Sequence, residues 1–129
     1  MSALVQDWSQ DRFVQADLTV VGEVRTLHPE VEATVLRIAQ EALTNVGKHA
    51  DAGRVMVTIT YDDEQIALDV RDDGIGFDPA MSVKDSSFGL RGMRQRAARL
   101  AGTLEVETAA EQGTAISAHL PALSREAAA

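Results

Sequence analysis

Between residues 30 and 47 the apolar positions recur at helical spacing. Val31, Val35, Ile38, Ala39, Ala42, Leu43 and Val46 fill one arc, and at about 100° per residue Glu41, Asn45 and Lys48 lie beside that arc, not opposite it. Pro29 in the first turn, followed by acidic residues, marks the start of this helix. It is predicted to run to about His49, where Asp51-Ala52-Gly53 stops it. The period then changes to two. Val55, Val57 and Ile59 alternate with Met56, Thr58 and Thr60, the chain turns over residues 62–65, and Ile66, Leu68 and Val70 alternate again, which predicts a β-hairpin. Upstream, residues 13–24 hold four valines and one threonine and look extended around 18–21. Downstream, residues 72–87 hold glycines, aspartates, a proline and two adjacent serines, the composition of a loop with a mobile centre. A second helix follows Phe88-Gly89, with Leu90, Met93, Ala97 and Leu100 on one face and Arg91, Arg94, Arg96 and Arg99 on the other. Strands at 103–107 and 114–120 finish the pattern, and Pro121 ends the last. No internal repeat is visible.

Composition narrows the class. With 129 residues, 45% of them apolar, the chain suits one domain with a real core. The formal charge of −8, with no dominant basic patch, makes nucleic acid an unexpected partner. The absence of cysteine excludes a disulfide framework and any thiolate metal site. Apolar runs are short and broken by charge, and the first residues lack a basic region followed by an apolar one. The expectation is a cytoplasmic, reduced-compartment domain without direct membrane contact. Residues 122–129 are expected to form a flexible tail.

Three constellations carry candidate chemistry. The first is Glu41, Asn45, Lys48 and His49 at the rim of the long helix. Polar residues four apart on a helix are usually surface pairs worth a few tenths of a kcal/mol. Here, however, Asn is a mediocre helix former placed beside the core, and Gly47 adds a further penalty near the helix end. The second is Asp72-Asp73-Gly74-Ile75-Gly76, closing the hairpin. Its glycines let the backbone approach a flat ligand, and a carboxylate beside them can accept from an exocyclic amine. Alone, an acidic glycine turn is equally ordinary. The third is Phe88-Gly89-Leu90-Arg91-Gly92-Met93, which puts glycines at a helix entrance, where free N–H groups favour phosphate. Gly113-Thr114, at the start of the last strand, adds a hydroxyl able to meet a base.

The order of these pieces resembles the ATP-binding catalytic domain of sensor histidine kinases, within the group that includes gyrase, the Hsp90 chaperones and MutL. The resemblance covers residues 13–121. Its most specific parts are Arg37-Ile38-x-Gln40-Glu41-Ala42-Leu43-Thr44-Asn45 with Lys48-His49, and Gly89-Leu90-Arg91-Gly92-Met93-x-x-Arg96-Ala97. Those parts are similar to the subclass related to nitrate sensors, the desaturase thermosensor and the mycobacterial dormancy sensors. The resemblance implies a two-layer α/β sandwich of the Bergerat type, with helices covering one face of a mixed sheet. It implies ATP and Mg²⁺ as cofactors. Asn45 would ligate Mg²⁺ through its amide oxygen, and Glu41 would polarise or deprotonate the attacking imidazole or a water near the γ-phosphate. Lys48 and His49 would meet phosphate oxygens. Asp72 would bind the adenine amine, Gly74 and Gly76 would shape the pocket floor, and Thr114 would support the adenine side. Residues 77–88 would be an ATP lid, anchored by Gly89, Leu90, Gly92 and Met93.

In this subclass the phosphorylated histidine lies on a dimerisation helix preceding the catalytic domain. His49 falls inside the nucleotide motif, and His28 and His119 have no fitting context. Residues 1–12 are therefore expected to be a linker from a dimerisation domain that carries the acceptor. A response regulator is expected downstream, and the domain itself is expected to be monomeric. Two other readings share parts of the pattern: a serine kinase of the anti-sigma-factor type, and a nucleotide-binding module without catalysis. The arginine-bearing glycine helix and Lys48-His49 favour the histidine kinases over the first. Glu41 argues against the second, since binding alone requires no carboxylate near the γ-phosphate.

Overall fold

A computed structural model describes residues 1–12, 14–47, 53–74, 89–108 and 113–124. Elements follow in the order α1 (Ser2–Arg12), β1 (Gln15–Gly22), α2 (Pro29–Asn45), β2 (Arg54–Tyr61), β3 (Gln65–Asp72), α3 (Leu90–Arg99), β4 (Thr103–Thr108) and β5 (Thr114–Pro121). The strands form one sheet in the order β1-β2-β3-β5-β4. β1 runs parallel to β2, so the connection between them must cross over, and α2 supplies the crossover. The other pairs are antiparallel. The sheet is therefore mixed, as the resemblance implied.

Alternation decides which residues meet the helices. Val55, Val57 and Ile59 of β2, Ile66, Leu68 and Val70 of β3, and Ile116, Ala118 and Leu120 of β5 are buried. They share one core with Val31, Val35, Ile38, Ala39, Ala42 and Leu43 of α2 and with Leu90, Met93 and Ala97 of α3. Each large side chain among them that leaves water completely stabilises the fold by about 1.5–3 kcal/mol. The opposite face of the sheet is polar and carries side-chain pairs. Ser117 Oγ donates to Asp69 Oδ1 at 2.5 Å, and Arg54 Nη2 pairs with Asp17 Oδ2 at 3.1 Å. Helices on one face and polar pairs on the other make the expected two-layer α/β sandwich.

The predicted helix start is capped by a residue that had no assigned task. His28 Nδ1 accepts from the backbone N–H of Glu30 at 3.1 Å, and Pro29 follows at the first helical position. At the N-terminus, residues 2–12 are helical, and Val5 and Trp8 join the common core. At the other end, Ala122 N–H donates to Glu64 O at 2.9 Å and His28 N–H to Leu123 O at 2.8 Å, tying residues 122 and 123 to the body of the domain. Among the described residues, no helix is long and apolar enough to cross a membrane.

Candidate nucleotide site

The sheet brings Asp72 and Thr114 together. Asp72 ends β3 on the core side, one alternation beyond Val70, and is 7% exposed. Its Oδ1 accepts from the backbone N–H of Gly74 at 2.8 Å, closing a tight turn. Burial pushes the Asp72 carboxyl above its ordinary value; backbone N–H groups of Gly74 and Thr114 pull it back, and the neighbouring Asp73 raises it again. Thr114 Oγ1 lies 3.0 Å from Thr108 Oγ1 across the β4–β5 pair. Gly113 sits between the two strand ends with φ +83°, and a Cβ there would stand 2.3 Å from the Asp72 carbonyl oxygen. Only glycine fits that crossing. A cavity of about 310 Å³ opens here, with Asp72, Thr108 and Thr114 on its core-side wall and Arg71 and Glu107 on its outer wall. That volume is at the small end of ligand pockets.

The adjacent carboxylate has a different task. Asp73 Oδ1 accepts from the backbone N–H groups of both Gly53 and Arg54, each at 3.0 Å. It fastens the start of β2 to the end of β3. The resemblance gave the adenine amine to Asp72 and no task to Asp73; alternation along β3 accounts for the difference, since consecutive strand residues face opposite ways.

A second group forms where α2 meets α3. Glu41 Oε1 pairs with Arg96 Nη1 at 2.7 Å and with Arg37 Nε at 3.4 Å. Glu41 Oε2 is buried and has no hydrogen-bond partner among the described residues. It faces the entrance of α3: a Cβ on Gly89 would lie 3.8 Å from it. Gly89 adopts φ 66° and ψ 14°, a left-handed entry that glycine tolerates. Asn45 ends α2 one turn beyond Glu41 and is half-buried. Leu90 and Met93 are buried in the core and seat α3 on the sheet. Gly92 faces the Arg96 side chain, with a Cβ position 3.3 Å from Nη1.

The structure thus assembles Asp72, Gly74 and Thr114 at the strand ends, and Glu41 and Gly89 at the α2–α3 seam. Lys48, His49, Gly76 and the expected lid at 77–88 lie outside the described residues. Arg37, Arg96 and Gly113 belong to the site's framework and had no assigned role. Arg37 stood four residues before Glu41, the spacing of a helical ion pair, whereas nothing local in the sequence tied Arg96 to Glu41.

A mixed five-stranded sheet with helices on one face, and a buried carboxylate backed by a hydroxyl at its strand ends, make an α/β sandwich with a candidate ligand site. The profile of the family described as histidine kinase-, DNA gyrase B- and HSP90-like ATPase matches residues 30–124, and the chain belongs to that family. The chain is 33% identical over 122 residues to the signal transduction histidine-protein kinase/phosphatase DegS of Brevibacillus brevis, covering 95% of this chain and 31% of that protein. It is 33% identical over 112 residues to DegS of Bacillus subtilis, covering 84% and 29%. The chain thus spans about a third of the length of these curated relatives. Among solved structures, the blue-light activated histidine kinase EL346 of Erythrobacter litoralis superimposes with a TM-score of 0.73 at 21% identity, over 94% of this chain and 40% of that one. The mycobacterial sensor histidine kinase MprB gives 0.68 at 22% identity, over 96% and 95%. These structures share the fold.

Proposed function

We propose that this ATPase-family domain is the catalytic domain of a two-component sensor histidine kinase, passing the γ-phosphate of ATP to a histidine on a separate dimerisation domain. The observation that carries the nucleotide reading is the buried Asp72 carboxylate. Backbone N–H groups of Gly74 and Thr114 already donate to it, and a purine amine is a further neutral donor that a buried carboxylate, with no ion pair among the described residues, can accept. Thr114 supports the same side. Glu41, whose buried Oε2 has no hydrogen-bond partner among the described residues, is the group to polarise the attacking nucleophile. The histidine acceptor is supported by the DegS relatives, which are histidine-protein kinase/phosphatases by name. It is also supported by the histidines described here: His28 is engaged as a helix cap, and His119 lies on the helix-free face of β5.

Mg²⁺ fits the donor set. Asn45 offers a single amide oxygen, and Mg²⁺ bound with nucleotide takes most of its ligands from phosphates and water. The ion would neutralise charge developing on the transferring phosphoryl group. Lys48 and His49 would meet phosphate oxygens, with Gly76 on the pocket floor and Gly89, Leu90, Gly92 and Met93 anchoring a lid. In this reading residues 1–12 continue into the dimerisation domain, a response regulator takes the phosphate onward, and the domain is monomeric and cytoplasmic.

The test supplies labelled ATP, Mg²⁺ and a dimerisation domain, and follows the label. Acid-labile, base-stable phosphate on that domain is expected. Acid-stable phosphoserine would overturn the reading in favour of a serine kinase, and ATP binding without transfer would favour a non-catalytic module.

A further inference from the structure

We propose that Arg96, backed by Arg37, is a positioning residue that fixes the Glu41 carboxylate with Oε2 turned to the reacting side, and that Gly92 leaves the space for it. The inference rests on the reading of Glu41 as the group that polarises the nucleophile. A glutamate on a helix rim has three rotatable side-chain bonds and two equivalent oxygens. Only one orientation serves a reaction beside the α3 entrance. Both guanidiniums fall on the same oxygen, Oε1, and the Arg96 contact at 2.7 Å is in the range of a strong charge-assisted hydrogen bond. A half-turn of the carboxylate only exchanges two equivalent oxygens, whereas swinging the whole group away through its inner side-chain bonds would break that contact. Oε2 is thereby left toward Gly89, buried and without a donor among the described residues. A buried acceptor with no partner is a cost to the fold. It is retained where an incoming group supplies the donor, which here is the attacking imidazole or water.

Arg96 is the principal partner. Its side chain is 32% exposed, against 58% for Arg37, so solvent screens the Arg37 contact more. To reach Glu41 from the next turn of α3, the Arg96 side chain lies back over Gly92. A Cβ at Gly92 would be 3.3 Å from Arg96 Nη1, tighter than ordinary contact. The second glycine of Gly89-Leu90-Arg91-Gly92 therefore has a task of its own: clearance for the guanidinium that orients Glu41.

The variants Arg96→Met, Arg96→Lys, Gly92→Ala, Glu41→Gln and the Glu41→Gln/Arg96→Met pair, made in the full kinase, test this through kcat and KM for Mg-ATP with thermal melting alongside. Arg96→Met is expected to lower kcat about 10- to 100-fold, the scale of a misplaced catalytic group, with KM within about twofold. Arg96→Lys recovers part of the loss. Gly92→Ala lowers kcat in the same direction with an unchanged or higher Tm, because alanine favours the helix. In the pair, Arg96→Met adds nothing to Glu41→Gln. If Glu41→Gln lowers kcat but Arg96→Met does not, or if the two losses multiply, the clamp is overturned while Glu41 keeps its role. If Glu41→Gln itself leaves kcat intact, the underlying reading of Glu41 falls.

Discussion

Replacing Asp72 by Asn is expected to stabilise the empty domain while weakening its hold on ATP. The carboxylate is 7% exposed, and burial raises its pKa with a contribution from Asp73. An acid whose folded pKa is raised gains from being protonated. That gain is fully present below the unfolded value, near 3.8, and is lost as pH rises through the higher folded value. Above that folded value the chain carries an unfavourable buried charge, which Asn removes while its one oxygen still accepts from the Gly74 N–H. The Tm of Asp72→Asn should exceed that of the parent at pH 7, and the gap should close as pH falls through the raised folded pKa. Binding moves the other way. The backbone N–H groups of Gly74, at 2.8 Å, and of Thr114 already reach the Asp72 carboxylate, and in the proposed complex the adenine amine joins them. Asn has only one oxygen, so one donor meets an NH₂ group. Losing a hydrogen bond to a charged acceptor costs about 1.5–3 kcal/mol, roughly 10- to 150-fold in affinity. Guanine presents a carbonyl where adenine has its amine, and the Asn amide can donate to it, so the preference for ATP over GTP should narrow. Calorimetric titration of both nucleotides, with melts from pH 4 to 8, reads all of these effects. An unchanged ATP affinity with unchanged discrimination would refute the assignment of Asp72, and a lower Tm at pH 7 would refute the burial argument.

Asp73→Ala should do the reverse of its neighbour. Losing two backbone N–H contacts at 3.0 Å from an exposed carboxylate should cost about 1–2 kcal/mol, read by urea unfolding, with ATP affinity of the folded protein within about twofold. Gly113→Ala combines a left-handed φ with a Cβ 2.3 Å from the Asp72 carbonyl oxygen. A loss of about 2–5 kcal/mol is expected from backbone strain and overpacking together, and a Tm within 2 °C of the parent would contradict the close approach. Asn45→Ala should weaken ATP binding in the presence of Mg²⁺ and leave metal-free binding nearly unchanged; equal affinities with and without Mg²⁺ in both proteins would remove Asn45 from the metal site.

The elements that were legible in the sequence are those with one wet and one dry face. α2 showed its buried arc, and β2 and β3 their alternation, because the helices cover the sheet on one side only. β1 was legible mainly through the β-branched run Thr19-Val20-Val21. As an edge strand it is exposed from Thr19 onward, so burial does not impose a clear period. α1 was not legible: its polar residues surround the helix, and two side chains, Val5 and Trp8, take it into the core. In the site, Asp72 was visible because a glycine turn is a local signal. The Arg96–Glu41 contact joins residues 55 positions apart, and only the packing of α3 on α2 creates it. Arg96 looked like one of four arginines on a solvated face.

The placement of these groups separates recognition from transfer. Asp72 and Thr114 stand on strand ends held by the β3–β5 and β4–β5 ladders and by the Gly113 crossing. Glu41 Oε2 is aimed by a guanidinium on α3 and faces a glycine at the entrance of that same helix. A shift of α3 that lengthened the 2.7 Å Arg96 contact would loosen the aim of Glu41. Substitutions at Asp72 and Gly113 should therefore appear in nucleotide affinity, and those at Arg96 and Gly92 in the rate of transfer.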